Sequence, residues 1–317
     1  MTPMDIIVAY QHAAQMQRLQ ALLGDAANVR AMQQLPRHGL IRADVLVTTH
    51  LKPEEAARVR ARLVHVPAVG LDGIALDALP ADCAVCNVHG HEVPIAEYVM
   101  HALLEHYLDR AAQSWQLDED HWPGAYLERP QHDEASGRTL LILGFGHIGR
   151  EIAMRARALQ MKIVAVTRQG AREPLADHTV AFGALPAALP DADAVVICCP
   201  LNEMTRGCIG AAELACMRPD ALLVNVARAE VVDESALFHA LQDRRIARAV
   251  LDVWYAYPRD GETRLAPSRW PFHTLPNVRC TPHLSGWTRG LLIRRYERVA
   301  QNIQRLRDGQ PLLNRVR

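Results

Sequence analysis

The stretch TLLILGFGHIGREIAMRARALQMKIVAVTRQ, residues 139–169, decides the fold. Its first five residues are an apolar run of strand length. GFGHIG, residues 144–149, follows as G-x-G-x-x-G, and REIAMRARAL then reads as a helix made of good helix formers. KIVAVT, residues 162–167, is a second buried-type strand. The glycine pattern alone is a weak signal; between a strand and a helix it predicts a dinucleotide site rather than a plain turn. Gly144 permits the tight turn, Gly146 lets a pyrophosphate approach the backbone, and Gly149 lets helix and strand pack closely. With Phe145, His147 and Ile148 between them, these residues place unpaired N–H groups and a positive dipole end at the phosphates.

The same rhythm continues outward. DAVVICC (193–199), ALLVNVA (221–227) and ARAVLDV (247–253) are further buried-strand runs, with helices expected over 148–160, 211–217 and 233–244. Upstream, DIIVAY, ADVLVTT, LVHVPAV and AVCNV are short apolar strands, with helices expected over 11–23 and 53–62. A long helix is expected from Pro94 to Trp115, a polar Pro/Gly-punctuated loop over 117–137, and a closing amphipathic helix over 289–308. Strands alternating with helices argue for parallel sheets covered on both faces.

Composition sets the outer bounds. A chain of 317 residues with half its residues hydrophobic can bury two cores. Lys+Arg and Asp+Glu are both 35, so nothing points to a nucleic acid or an anionic membrane surface as partner. No leader-like start and no run of about 18 apolar residues occurs, which predicts a cytoplasmic protein. The seven cysteines lie in apolar segments. Cys83 and Cys86 form a C-x-x-C without a second ligand pair, so a buried strand explains them better than a metal.

The strand after the glycine motif should end in the residue that reads the adenosine ribose. It ends in Thr167, Arg168 and Gln169, with no carboxylate. An acid there bonds the 2′-hydroxyl and repels a 2′-phosphate; a hydroxyl and a guanidinium suit the phosphate. The expected cofactor is therefore NADP(H), with NAD(H) the alternative and a solvated Arg168 without a role the plain reading.

Downstream, CCPLNEMTRGCIG (198–210), NVARAE (225–230), LDVWYAYP (251–258) and TPHLSG (281–286) occur in an order that resembles the D-isomer-specific 2-hydroxyacid dehydrogenase family. VGLDGI, PIAEYV and GQPLLNRV extend the resemblance over essentially the whole chain. It implies an α/β fold of two Rossmann-like, doubly wound domains with an interdomain cleft. Residues 1–97 plus 288–317 would form the substrate domain and 98–287 the dinucleotide domain, with hinges at the two crossings. The region of the long helix and the segment after it resembles the family's dimer-forming part, so a homodimer is expected.

The resemblance also implies roles. Arg228 would hold the carboxylate and carbonyl of a 2-keto acid, and His283 would exchange a proton with the carbonyl oxygen. Pro200, Thr205, Val226 and Ala227 would line the cofactor, and Asp252 would bond the nicotinamide carboxamide. Val69 and Gly70 match the substrate-facing turn of the first domain. His91 aligns near the substrate, although an ordinary core or surface histidine fits equally well. Trp287 either walls the pocket or simply packs.

One departure stands out. The family usually supplies a glutamate five positions after the aspartate to pair with the histidine; here that position is Tyr257. A phenol orients an imidazole but brings no negative charge near neutral pH, so the pKa of His283 should be lower than with an acid. Asp260 or Glu262 could replace that acid from the adjacent loop. The expected reaction is reduction of glyoxylate or hydroxypyruvate; a dehydrogenase of another small anion such as formate, or a weakly catalytic nucleotide sensor of the same fold, are the alternatives.

Overall fold

The computed structural model describes residues 2–109, 115–258 and 262–317. The chain forms two compact units: the segment up to Gly90 together with Thr288–Arg317, and His91–Trp287. The first crossing thus lies before the long helix, not inside it at residue 97. The reason is packing: that helix, Glu92–Leu108, is continuous. Its Ile95, Ala96, Val99 and Leu103 share one buried cluster with Ile142 and Ile152, so it belongs wholly to the second unit. It ends at Leu108 rather than near Trp115, and residues 110–114 of the expected helix lie outside the described residues.

The first unit contains strands β1 (Met4–Ala9), β2 (Ala27–Met32), β3 (Ile41–Arg42), β4 (Val45–Val47), β5 (Val59–Arg60), β6 (Leu63–His65) and β7 (Ala84–Cys86). Five of them form a parallel sheet in the order β2-β1-β4-β6-β7, while β3 and β5 pair separately. Alternate residues bury on opposite faces. Ile6, Val8, Val45 and Val47 pack with Tyr296, Val299 and Ile303 of the closing helix; Ile7, Leu46, Val64 and Val85 pack with Ile41, Leu51 and Leu79. The closing helix, Arg289–Arg307, starts where the Thr288 hydroxyl accepts the N–H of Leu291.

Two expected helices are shorter than their sequence patterns. The first begins as a 3₁₀ turn, Tyr10–Gln15, before the α-helix Met16–Leu23. The second is a single turn, Pro53–Ala56, because the chain leaves it to form β5.

The second unit holds β8 (Thr139–Leu143), β9 (Lys162–Thr167), β10 (His178–Ala181), β11 (Ala194–Ile197), β12 (Leu222–Asn225), β13 (Arg248–Leu251) and β14 (Val278–Cys280). They form one parallel sheet in the order β10-β9-β8-β11-β12-β13-β14. The central strands β11 and β12 are buried along their whole length, as a sheet covered on both faces requires. Strand order reverses between β8 and β11, which puts a ligand crevice at the carboxyl ends of those strands. Most of the candidate residues follow such ends: Gly144 after β8, Arg168 after β9, Pro200 after β11, Arg228 after β12, Asp252 after β13 and His283 after β14.

Candidate active site

The turn after β8 is built around close approach. Gly144 has φ +97°, and a Cβ there would lie 2.6 Å from both Cα and N of Cys199. Its carbonyl accepts the thiol of Cys198 at 2.9 Å, which ties the turn to the end of β11. A Cβ on Gly149 would lie 2.4 Å from the Gly144 carbonyl oxygen. Gly146 differs: a Cβ there meets nothing within 4 Å, and Gly146 N-caps the helix His147–Ala158 without any side-chain cap. Protein packing therefore accounts for Gly144 and Gly149. Gly146 leaves open space in front of a helix N-terminus, and that shape fits a dinucleotide pyrophosphate. The Phe145 side chain is buried in the core, so it can offer a ligand only backbone; Ile148 is partly buried against the same cluster, and His147 is exposed.

At the end of β9 the Thr167 hydroxyl accepts the N–H of Gly170 at 3.0 Å, fixing a tight turn. Arg168 projects from that turn, exposed. After β11, the Thr205 hydroxyl donates to the Pro200 carbonyl at 2.7 Å and accepts the N–H of Asn202 at 2.9 Å. Thr205 is thereby buried and holds the loop. After β12, Val226 and Ala227 are buried. The side chain of Asn225 accepts the N–H of Ala227 at 3.1 Å and donates to the carbonyl of Arg228 at 3.0 Å. That clamp aims the backbone of the Arg228 turn. The guanidinium itself is exposed and donates to the Ala227 carbonyl at 2.8 Å.

The loop after β14 is the most constrained part of the site. His283 has φ +56°, a left-handed conformation unfavourable for a residue with a Cβ. It turns the next two amides toward one point, where Asp252 waits. Leu284 N–H and Ser285 N–H donate to the two Asp252 oxygens at 2.8 and 2.9 Å, and the Thr281 hydroxyl donates at 2.6 Å. Such successive amides form an anion-binding concavity, here filled by the protein's own carboxylate. Because the Thr281 proton goes to Asp252, the Tyr98 hydroxyl 2.7 Å away is the donor to Thr281. The indole N–H of Trp254 holds the Thr281 carbonyl at 2.8 Å.

The Asp252 exposure is 0 %, and its charge is compensated by the loop that carries His283. Asp252 thus clamps the histidine loop, a part beyond the carboxamide contact that the resemblance implies. Sequence reasoning also missed Asn225, Tyr98, Thr281 and Ser285, whose positions become meaningful only when β12, β13 and β14 lie side by side.

Tyr257 stands where the sequence placed the departure. Its hydroxyl lies 2.8 Å from Nδ1 of His283 and accepts the backbone N–H of Trp254 at 3.1 Å. Partial burial pushes the His283 imidazole below its ordinary value; Arg228 pushes the same way and Asp252 opposes. Burial raises the Tyr257 phenol, while the Trp254 N–H and Arg228 lower it. Arg228 thus acts electrostatically on both rings. Asp260 lies outside the described residues.

The remaining candidates are placed as follows. His91 precedes the helix Glu92–Leu108, with Nδ1 3.7 Å from Glu92 Oε2. A Cβ on Gly286 would sit 3.6 Å from the His91 Cβ, which brings His91 beside the end of the His283 loop. Trp287 is 62 % exposed. Val69 and Gly70 belong to the first unit, in the bend after β6, where the Val69 carbonyl accepts the Asn87 side chain at 2.9 Å. All other candidate residues belong to the second unit.

Comparison with known proteins agrees with this architecture. Residues 100–285 match the model of the D-isomer specific 2-hydroxyacid dehydrogenase NAD binding domain. The chain is 34 % identical over 223 residues to the (S)-sulfolactate dehydrogenase of Chromohalobacter salexigens, covering 69 % of each protein. It is 36 % identical over 174 residues to the glyoxylate reductase of Thermococcus gammatolerans, an alignment spanning 55 % of this chain and 50 % of that one. Among solved structures, a D-isomer specific 2-hydroxyacid dehydrogenase from Xanthobacter autotrophicus in complex with NADPH and MES superposes with a TM-score of 0.77. That match has 25 % identity and covers 99 % of this chain and 98 % of the other. The dinucleotide turn, the seven-stranded parallel sheet and these matches together show that the chain belongs to the D-isomer-specific 2-hydroxyacid dehydrogenase family, whose members are nicotinamide-dependent oxidoreductases.

Proposed function

We propose that the protein reduces a small 2-keto acid, glyoxylate or hydroxypyruvate, to the corresponding 2-hydroxy acid, with NADPH preferred over NADH. The observation that carries this reading is the grouping of Arg228, His283 and Tyr257 at the carboxyl ends of β12–β14, beside a glycine turn shaped for a pyrophosphate. The glyoxylate reductase relationship supports the substrate class.

The residues divide the work. The guanidinium of Arg228 binds the substrate carboxylate and polarises its carbonyl. His283, held in place by the Asp252 clamp, faces the carbonyl oxygen with Nε2 and delivers the proton. The Gly144–Gly149 turn would hold the pyrophosphate of a reduced nicotinamide dinucleotide, which would supply the hydride. On the first unit, the bend at Val69 and Gly70 is the candidate substrate contact. In the second, His91 and Trp287 border the histidine loop.

Thr167 and Arg168 support the NADPH preference, because a hydroxyl and an exposed guanidinium follow β9 where an acid would repel the 2′-phosphate. Trp122, Tyr126 and Leu127 leave apolar surface exposed on the short helix Trp122–Leu127, which supports a homodimer. Its composition supports a place in the cytoplasm; no helix among the described residues is long and apolar enough to cross a membrane. The test is a panel of 2-keto acids, including glyoxylate, hydroxypyruvate and the keto form of sulfolactate, run with NADPH and NADH. Cofactor binding without turnover on any of them would overturn the proposal.

A further inference from the structure

We propose that Tyr257 is a positioning residue that locks neutral His283 in the tautomer carrying its proton on Nε2, which makes the site a receptor for a carbonyl rather than for an alcohol. This deepens the reading of His283 given above and rests on it. The geometry fixes the sense of the hydrogen bond. A backbone N–H can only donate, so the contact from Trp254 at 3.1 Å occupies acceptor capacity on the phenol oxygen. The phenol's own proton is then free to point at the second partner, Nδ1 of His283, 2.8 Å away. A ring nitrogen that accepts a hydrogen bond carries no proton. In the neutral imidazole the hydrogen is therefore on Nε2.

A carboxylate at position 257 would do the reverse. It can only accept, so it holds the proton on Nδ1 and leaves a lone pair on Nε2. The consequence differs for the two directions of reaction. A keto acid needs a donor at Nε2, and with Tyr257 that donor is present in both the neutral and the charged ring. Binding of the carbonyl should therefore persist as the ring loses its charge, while turnover, which consumes the proton, declines. A hydroxy acid needs a base at Nε2 and meets a hydrogen instead. Its oxidation must first overcome the tautomer preference, about fivefold for one neutral hydrogen bond.

Among the described residues, the charged and titratable groups facing the ring are Tyr257, Asp252 and Arg228; Tyr257 is faced by Asp252, Arg228 and Glu230. The last three remain in place when only the phenol oxygen is removed. The experiment is ¹⁵N NMR of the histidine side chains in the intact protein without substrate, comparing wild type with Tyr257→Phe and Tyr257→Glu. Wild type should show a pyridine-type Nδ1 and a pyrrole-type Nε2 for the signal absent in His283→Gln. Tyr257→Phe should relax this toward a mixture and move the His283 pKa upward by several tenths of a unit, since a donor to the neutral form is lost. Tyr257→Glu should reverse the tautomer and raise the limiting kcat of oxidation, measured above the His283 pKa where the ring is neutral, by about fivefold. A pyrrole-type Nδ1 in wild type, or a downward pKa shift in Tyr257→Phe, would overturn the inference. Neither reading depends on finding the substrate, so a failed substrate panel leaves this result distinguishable.

Discussion

The hydroxyl of Tyr257 lies 2.8 Å from Nδ1 of His283, so a neutral phenol occupies the place from which a carboxylate would stabilise an imidazolium. Desolvation and Arg228 already hold the histidine below its ordinary pKa, and no acid at 257 offsets them. In the proposed mechanism reduction needs the charged ring. It should therefore decline as pH rises through a value lower than that of an ordinary imidazole. Tyr257→Glu adds a negative charge beside the ring and favours the charged form, so the declining limb of kcat should move to higher pH. Superimposable profiles for the two proteins would contradict this role.

Asp252 accepts three hydrogen bonds from Thr281, Leu284 and Ser285 and has no exposed surface. Asp252→Asn turns an amide group toward two backbone N–H donors. Removal of one side of such a buried charged network costs about 2–4 kcal/mol. The expected result is a lower Tm together with a large loss of kcat, because the left-handed turn at His283 loses its clamp. An Asn variant with wild-type Tm and kcat would show that the clamp is idle.

The glycines of the dinucleotide turn should respond differently. Gly144→Ala meets the Cys199 backbone at 2.6 Å in a φ +97° conformation, so it should misfold the turn and lower Tm. Gly146→Ala meets no protein atom within 4 Å. It should leave Tm unchanged and weaken cofactor binding by tenfold or more, about 1.4 kcal/mol. Equal cofactor affinity in wild type and Gly146→Ala, measured by nicotinamide fluorescence, would remove the pyrophosphate from this turn.

Arg168 follows β9 exposed to solvent. If it reads a 2′-phosphate, Arg168→Ala should weaken NADPH by roughly 10- to 100-fold, the worth of one charge-assisted hydrogen bond, and leave NADH nearly unchanged. A parallel loss for both cofactors would assign the arginine to structure instead.

Much of the second unit was legible in its sequence, because a central parallel strand is a short, largely apolar run, and TLLIL, AVVI and LLVN fit that pattern. Edge strands were not. β2 and β10 are only partly buried, so ANVRAM and HTVA carry no comparable signal. Motif order singled out Arg228, His283 and Tyr257. The clamp that Asp252 forms on the histidine loop could not be read there, because it depends on the left-handed backbone at His283, which turns two neighbouring amides toward it. No spacing in the sequence records that angle.

The most direct test of the central claim is single-turnover oxidation of bound NADPH by glyoxylate, followed by the near-ultraviolet absorbance of the reduced cofactor, in wild type, Arg228→Gln and His283→Gln. The account predicts a loss of at least a hundredfold in the oxidation rate of each variant, with NADPH affinity retained, as expected for removal of a proton donor or a charge clamp. Unimpaired oxidation in either variant would contradict it.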